Sequence, residues 1–290
     1  MLVGMKEILV KARKEGYGVI APTIKSMEEI KVSIDAAEKK NSAVILNFNI
    51  TYDWVKRDED LELAAYIARE RAIRSSVPVC VNLDHGKDFE CVMRAIKYGF
   101  GSVMIDASYK TFEENVEITK KVCETAHAAG ISVEAELGCV GMADPSFTIL
   151  GKYTQTTETD PDAVVEFVKR TGVDFLAISI GNAHGPYAKD IIPHLNFELL
   201  QKIASVTPIP LVLHGGSGTG DENMGKACTM GICKINVATD LSKEGVRIAV
   251  NALNEDEKHG RLDFIQNYNT GFQNKIEYYM DVFGSTGKAF

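Results

Sequence analysis

A chain of 290 residues, 45% of them hydrophobic and 25% charged, has enough apolar surface to bury a sizeable core. Its net charge of −8 and pI near 5.4 argue against a nucleic-acid surface, because duplex binding draws most of its affinity from Lys and Arg neutralising phosphates. No stretch approaches a membrane span, and the opening MLVGMKEILVKARKEGYG carries charges throughout rather than the apolar core of a signal peptide, so a soluble cytoplasmic protein with no membrane contact is expected.

Short β-type runs follow one another at 18–22 (GVIAP), 43–48 (AVILNF), 77–83 (VPVCVNL), 102–105 (SVMI), 131–137 (ISVEAEL), 175–180 (FLAISI), 209–213 (IPLVL) and 232–237 (ICKINV). Between them, 27–40, 59–75, 89–98, 112–129, 161–171, 197–205 and 223–230 place apolar residues three and four apart, several behind a capping residue, and read as helices. Strands this apolar, each followed by a helix, imply a parallel sheet covered by helices. Eight such units fit a closed (β/α)8 TIM barrel, taken as one domain over 1–290, with a helical extension from 241 to about 283 that breaks near 254–260. The irregular stretch 138–160 is long enough to be either disordered or a functional lid. Six scattered cysteines without a C-x-x-C pair read as buried thiols.

A barrel of this kind collects its chemistry at the C-terminal ends of its strands. There the chain places Asp84-His85-Gly86, Asp106, Gly181 to Gly185 with Asn182 and His184, His214-Gly215-Gly216-Ser217, and Asn236 to Asp240. A single histidine at a strand end is ordinarily a hydrogen-bonded capping residue. Three of the chain's six, from three strands and each followed by glycine, instead match the ligand count of a catalytic zinc site that keeps a position open. His127, His194 and His259 fall in helical or loop stretches and read as surface or packing residues.

Glu134 and Glu136 stand two apart in one strand and share a face. Buried in a barrel they need a cation, and Lys234, on the same face as Asn236, is a candidate partner for Glu134; Glu136 and Asp106 read as an auxiliary metal position. The glycine loop after His214 and the Asn236-Val237-Ala238-Thr239 turn lie at the seventh and eighth exits, where barrels often seat a phosphate against N–H groups and a helix N-terminus.

The motifs LDHG (83–86), SVMIDAS (102–108), VEAELG (133–138), IGNAHG (180–185), LVLHGGSG (211–218), GICKINVATD (231–240) and FGSTGKA (283–289) run in order over nearly the whole chain, and together they resemble the class II, metal-dependent ketose-bisphosphate aldolases of the fructose- and tagatose-bisphosphate type. The resemblance implies reversible cleavage of a phosphorylated ketose to dihydroxyacetone phosphate and an aldehyde through a zinc-stabilised enediolate, within carbohydrate metabolism and glycolysis. It implies Zn2+ on His85, His184 and His214, with Asp106 and Glu136 at an alternative metal position. Gly185, Gly215, Gly216, Ser217, Asn236, Val237, Ala238 and Thr239 would hold dihydroxyacetone phosphate, and Asp84 would transfer the proton of the C4 hydroxyl. A monovalent cation, Na+ or K+, near the phosphate and a homodimer or homotetramer are also implied.

The chain departs from the family pattern in places. Where an acidic pair usually follows VEAELG, it has Cys139-Val140-Gly141-Met142-Ala143-Asp144, which leaves Asp144 as the candidate for moving the proton on the triose carbon. The usual Asp-Pro-Arg stretch near the C-terminus appears as Arg261-Leu262-Asp263, so the aldehyde half of the substrate is open. Three competing readings remain: a Schiff-base aldolase using Lys234, which leaves the histidines unexplained; a metal hydrolase, which has no use for the phosphate cradle; and a catalytically impaired barrel that binds sugar phosphates.

Overall fold

The apolar runs form eight parallel strands in the computed structural model of the chain, which describes residues 1–50, 55–143, 156–185, 187, 193–255 and 260–290. They are β1 (Val19–Pro22), β2 (Val44–Asn49), β3 (Val79–Gly86), β4 (Ser102–Ile105), β5 (Ser132–Leu137), β6 (Phe175–Ile178), β7 (Leu211–Leu213) and β8 (Ile232–Val237). Each pairs with its sequence neighbour from β2 to β8, and β8 returns to pair with β1. The remaining seam, between β1 and β2, is held by one parallel bridge between Thr23 and Asn47, with the Ile24 N–H donating to the Asn47 carbonyl at 2.9 Å. The result is a (β/α)8 barrel.

Helices α2 (Met27–Lys40), α3 (Asp58–Arg74), α4 (Phe89–Lys97), α5 (Phe112–Ala128), α6 (Pro161–Thr171), α7 (Phe197–Val206), α8 (Asp221–Thr229) and α9 (Thr239–Glu255) follow the strands in turn. Side-chain caps fix where several of them leave the strand exits: Ser26, Asp88, Thr111, Asp160 and Asn196 each accept a first-turn N–H. The C-terminal α10 (Arg261–Val282) lies over α9 and is tied to α2 by Lys39–Glu277 at 2.7 Å, Lys40–Asp281 at 2.6 Å and the Tyr268 hydroxyl donating to Glu29 at 2.8 Å.

Strand residues that alternate outward, such as Ile20, Leu46, Val81, Val103 and Leu176, pack beneath the helices in one large cluster. The inward set forms a second cluster around α1 (Met5–Glu15), an element that the alternation of strands and helices did not predict. Met5, Ile8, Leu9 and Ala12, spaced three and four apart, are fully buried against Val19, Ala21, Ile45, Cys80, Phe175, Ala177, Val212 and Cys233. The helix plugs the N-terminal end of the barrel. Arg13 locks it there, donating to the carbonyls of Thr207 at 2.6 Å and of Ile209. All six cysteines are buried and free.

Candidate active site

At the opposite end the three strand-exit histidines meet. The ring centroids of His85 and His214 are 4.8 Å apart, those of His85 and His184 5.1 Å, and those of His184 and His214 5.6 Å. One nitrogen from each falls within 4.8 Å of the others. Among the described residues, His184 Nε2 and His214 Nδ1 are buried without a hydrogen-bond partner, as is Glu136 Oε2, 3.2 Å from His214 Nδ1. Buried ligand atoms that face one another without hydrogen bonds are a donor set able to hold a metal ion.

His85 reaches this cluster through an irregularity in β3. Between Leu83 and Gly86 the strand advances three residues while β4 advances two, from Val103 to Ile105, a one-residue bulge. His85 takes φ 48°, one of two described non-glycine residues with positive φ. In a regular strand Asp84 and His85 would face opposite ways. Here both are buried, with Asp84 Oδ1 accepting from Asn236 Nδ2 at 3.0 Å and His85 Nδ1 2.8 Å from Asp106 Oδ2. Gly86 lets β4 approach: a Cβ there would lie 2.4 Å from the Met104 carbonyl.

Asp106 itself is fastened by the Ser108 hydroxyl and N–H at 2.8 and 3.1 Å. His85, Asp106 and Glu136 form a second group with ligand atoms within 4.8 Å of one another. Below them Glu134, fully buried, accepts from Lys234 Nζ at 2.7 Å and lies 2.9 Å from His214 Nε2. The pairing anticipated between Glu134 and Lys234 is present.

Among the described residues, four carboxylates (Asp84, Asp106, Glu134, Glu136) thus surround three imidazoles with one ammonium among them. Burial disfavours charge on every ring, yet Glu134 and Glu136 push His214 up to about 10. His85 is likewise raised against its burial by Asp84 and Asp106. Burial and the two neighbouring rings drive His184 well below its ordinary value. Despite burial, Lys234 and His214 hold Glu134 down at about 2, and His85 keeps Asp106 far below the usual carboxylate range. The site favours positive charge at its centre.

The glycine loop lies alongside. Gly215 has φ 65°, and a Cβ there would come 2.1 Å from the Ala183 carbonyl, so the loops carrying His184 and His214 touch backbone to backbone. Gly216 N–H donates to the Asn236 carbonyl at 3.0 Å, and Ser217 Oγ accepts from Ala238 and Asp240 N–H at 3.3 and 3.2 Å. These bonds join the Gly215–Ser217 turn to the N-terminus of α9, where Thr239 begins the helix and its dipole is positive. Val237 ends β8.

The chain matches the family described as fructose-bisphosphate aldolase class-II over residues 3–288. It belongs to that family. Its relatives include a fructose-bisphosphate aldolase of Staphylococcus epidermidis, 39% identical over 88% of this chain and 87% of the relative, and one of Thermus caldophilus, 35% identical over the whole of both. Among solved structures, the YdjI aldolase from Escherichia coli K12 superposes with a TM-score of 0.84 at 33% identity, covering all of both chains. The protein is accordingly a class II aldolase, a carbon–carbon lyase, and no helix among its described residues is long and apolar enough to cross a membrane.

For this aldolase the structure gathers at one rim the sequence-predicted Asp84, His85, Asp106, Glu136, His184 and His214, with Gly185, Gly215–Ser217 and Asn236–Thr239 on the adjoining turns. Asp144 lies outside the described residues, as does most of the 138–160 stretch. The described base of that stretch pairs Cys139 with Thr157 in both directions at 2.9 Å, and Ala143 N–H donates to the His184 carbonyl at 2.8 Å. Arg261 opens α10 as an exposed residue. Two contacts went unforeseen. Asn182, fully buried, donates to the His214 carbonyl at 3.0 Å, and the Tyr187 hydroxyl accepts from Ala183 N–H at 2.7 Å. An asparagine two residues before a strand-exit histidine was the available signal for the first. Nothing in the local pattern marked the second.

Proposed function

We propose that this aldolase reversibly cleaves a phosphorylated ketose, fructose or tagatose 1,6-bisphosphate or a related ketose phosphate, to dihydroxyacetone phosphate and an aldehyde, with His85, His184 and His214 holding a catalytic Zn2+. The observation that carries this reading is the convergence of three imidazoles, with buried nitrogens on His184 and His214 that make no hydrogen bond among the described residues. Bound there, the ion would supply Lewis-acid stabilisation of negative charge on the ketone oxygen. Asp106 and Glu136, grouped with His85, suit an auxiliary metal position.

The chain's own residues supply the rest. Asp84 takes the C4 hydroxyl proton in cleavage and returns it in condensation, its carboxylate aimed by the amide of Asn236. The turn at Gly215–Ser217 and the positive end of α9 hold the phosphate through N–H groups other than those of Gly216, Ala238 and Asp240, whose bonds within the protein fix the turn against the helix, and Gly185 adjoins them. Fixing the phosphate presents one face of the triose to the acid and base groups. Asp144, next in sequence after Ala143, whose N–H donates to the His184 carbonyl, is the candidate for the proton on the triose carbon. A monovalent cation at the phosphate, a homodimeric or homotetrameric assembly, cytoplasmic location and a single aldolase domain over 1–290 complete the proposal.

Deuterium exchange into dihydroxyacetone phosphate in heavy water tests it without any guess about the aldehyde. Exchange is expected with the protein as purified, to vanish on chelation and to return with zinc. A zinc-loaded protein that holds the phosphate yet exchanges nothing would replace this reading by that of a sugar-phosphate-binding barrel.

A further inference from the structure

Among the described residues, His214 is the one ring of the three with a carboxylate at each nitrogen: Glu134 Oε1 2.9 Å from Nε2, and Glu136 Oε2 3.2 Å from Nδ1. The two carboxylates differ in what else they do. Glu136 Oε1 accepts the Val140 N–H at 2.9 Å while its Oε2 has no hydrogen-bond partner, so it faces the cluster with a free lone pair. Glu134 has both oxygens engaged, one by His214 and the other by Lys234 Nζ at 2.7 Å. Lys234 is fully buried. A buried ammonium needs a paired anion, and a carboxylate so paired acts as an acceptor only.

We propose that Glu134, anchored by Lys234, is a positioning residue that holds His214 as the Nε2–H tautomer, so that Nδ1 is the atom turned to the metal. The inference rests on the metal site proposed above. It assigns the ion pair inside the barrel to the binding site rather than to the core alone. Glu134, Lys234 and His214 come from β5, β8 and the exit of β7, so three strands jointly fix one ring. A carboxylate behind a ligating histidine sets the ring's orientation and basicity, and losing such a partner typically costs about 10–100-fold in metal affinity.

Two paired substitutions test this without leaving a lone charge in the barrel. Glu134→Gln with Lys234→Met keeps the volume and keeps an amide oxygen able to accept from Nε2–H. Glu134→Leu with Lys234→Met removes the acceptor. Zinc affinity by chelator competition is expected to fall about 10–100-fold in the Leu/Met protein and to recover most of that loss in the Gln/Met protein. Thermal unfolding of both proteins without metal checks that they fold. Equal affinity in the Leu/Met protein and the unsubstituted protein, or equal loss in both variants, would overturn the inference.

A reading on the unsubstituted protein stands apart from the variants. With 15N-labelled histidine and zinc bound, one ring is expected to show a protonated Nε2 and a metal-shifted Nδ1. Three Nε2-bound rings would refute the assignment while leaving the zinc site intact. A protein that takes up no zinc at all would instead remove the metal site itself.

Discussion

At the scale of single residues, the site depends on a departure from strand geometry. The bulge at Asp84-His85 turns two consecutive side chains toward one mouth, and holding His85 at φ 48° costs about 1–3 kcal/mol that the bonds to Asp106 and Asn236 offset. In the function proposed above it separates the roles of neighbours: His85, beside His184 and His214, would be a metal ligand, and Asp84, held by Asn236, the group that moves the hydroxyl proton. Asp84→Asn is therefore expected to retain zinc while kcat falls about 100–10,000-fold with a smaller change in KM, checked by metal analysis beside steady-state kinetics. The chemistry of these residues was legible because three histidines, each followed by glycine, stand at the ends of three strands, where one alone would read as a cap. The bulge was not, since positive φ at a histidine leaves no glycine or asparagine to announce it. The Glu134 and Lys234 pairing was legible from the two-residue period of the strands.

At the scale of elements, strands and outer helices were readable from apolar period alone, and β4, β8, α2 and α6 have the bounds the pattern predicts. Helix α1 escaped because it falls before the first strand, where no alternation calls for it. Its spacing of Met5, Ile8, Leu9 and Ala12 was nonetheless a helical signal. It buries an apolar stripe at the end of the barrel remote from the histidines. Leu9→Ala is expected to cost about 2–5 kcal/mol in chemical unfolding, with zinc affinity and turnover unchanged below the melting range; a parallel loss of zinc affinity would mean that the plug shapes the site as well.

Across the whole molecule, the two ends of the barrel divide the work: reactive groups gather at the C-terminal rim, and fastenings gather at the N-terminal end. Asp174, just before β6, is one fastening, accepting from Val133 N–H at 2.9 Å, His127 Nε2 at 2.7 Å and Lys6 Nζ at 3.0 Å. Burial opposes its charge, but these donors hold its pKa below the ordinary value. A carboxyl depressed in the folded state stabilises above its unfolded pKa of about 3.9 and loses that contribution as pH falls through the folded value. Asp174→Asn is expected to lower stability by about 1–2 kcal/mol at neutral pH, the exposed Lys6 arm adding little. Urea midpoints of variant and unsubstituted protein should converge in acid, below about pH 4; a constant gap down to pH 2 would mean that the carboxylate charge is not what stabilises.

The plug also sets an order on how the chain comes together. Helix α1 is synthesised before any strand, yet the surface that receives it includes Phe175 of β6, Val212 of β7 and Cys233 of β8. During translation its apolar stripe has no complete partner until nearly all of the barrel has left the ribosome. Made before the strands that receive it, helix α1 is thus among the last of these elements to dock, and until then its apolar stripe stays open to solvent and to chaperones.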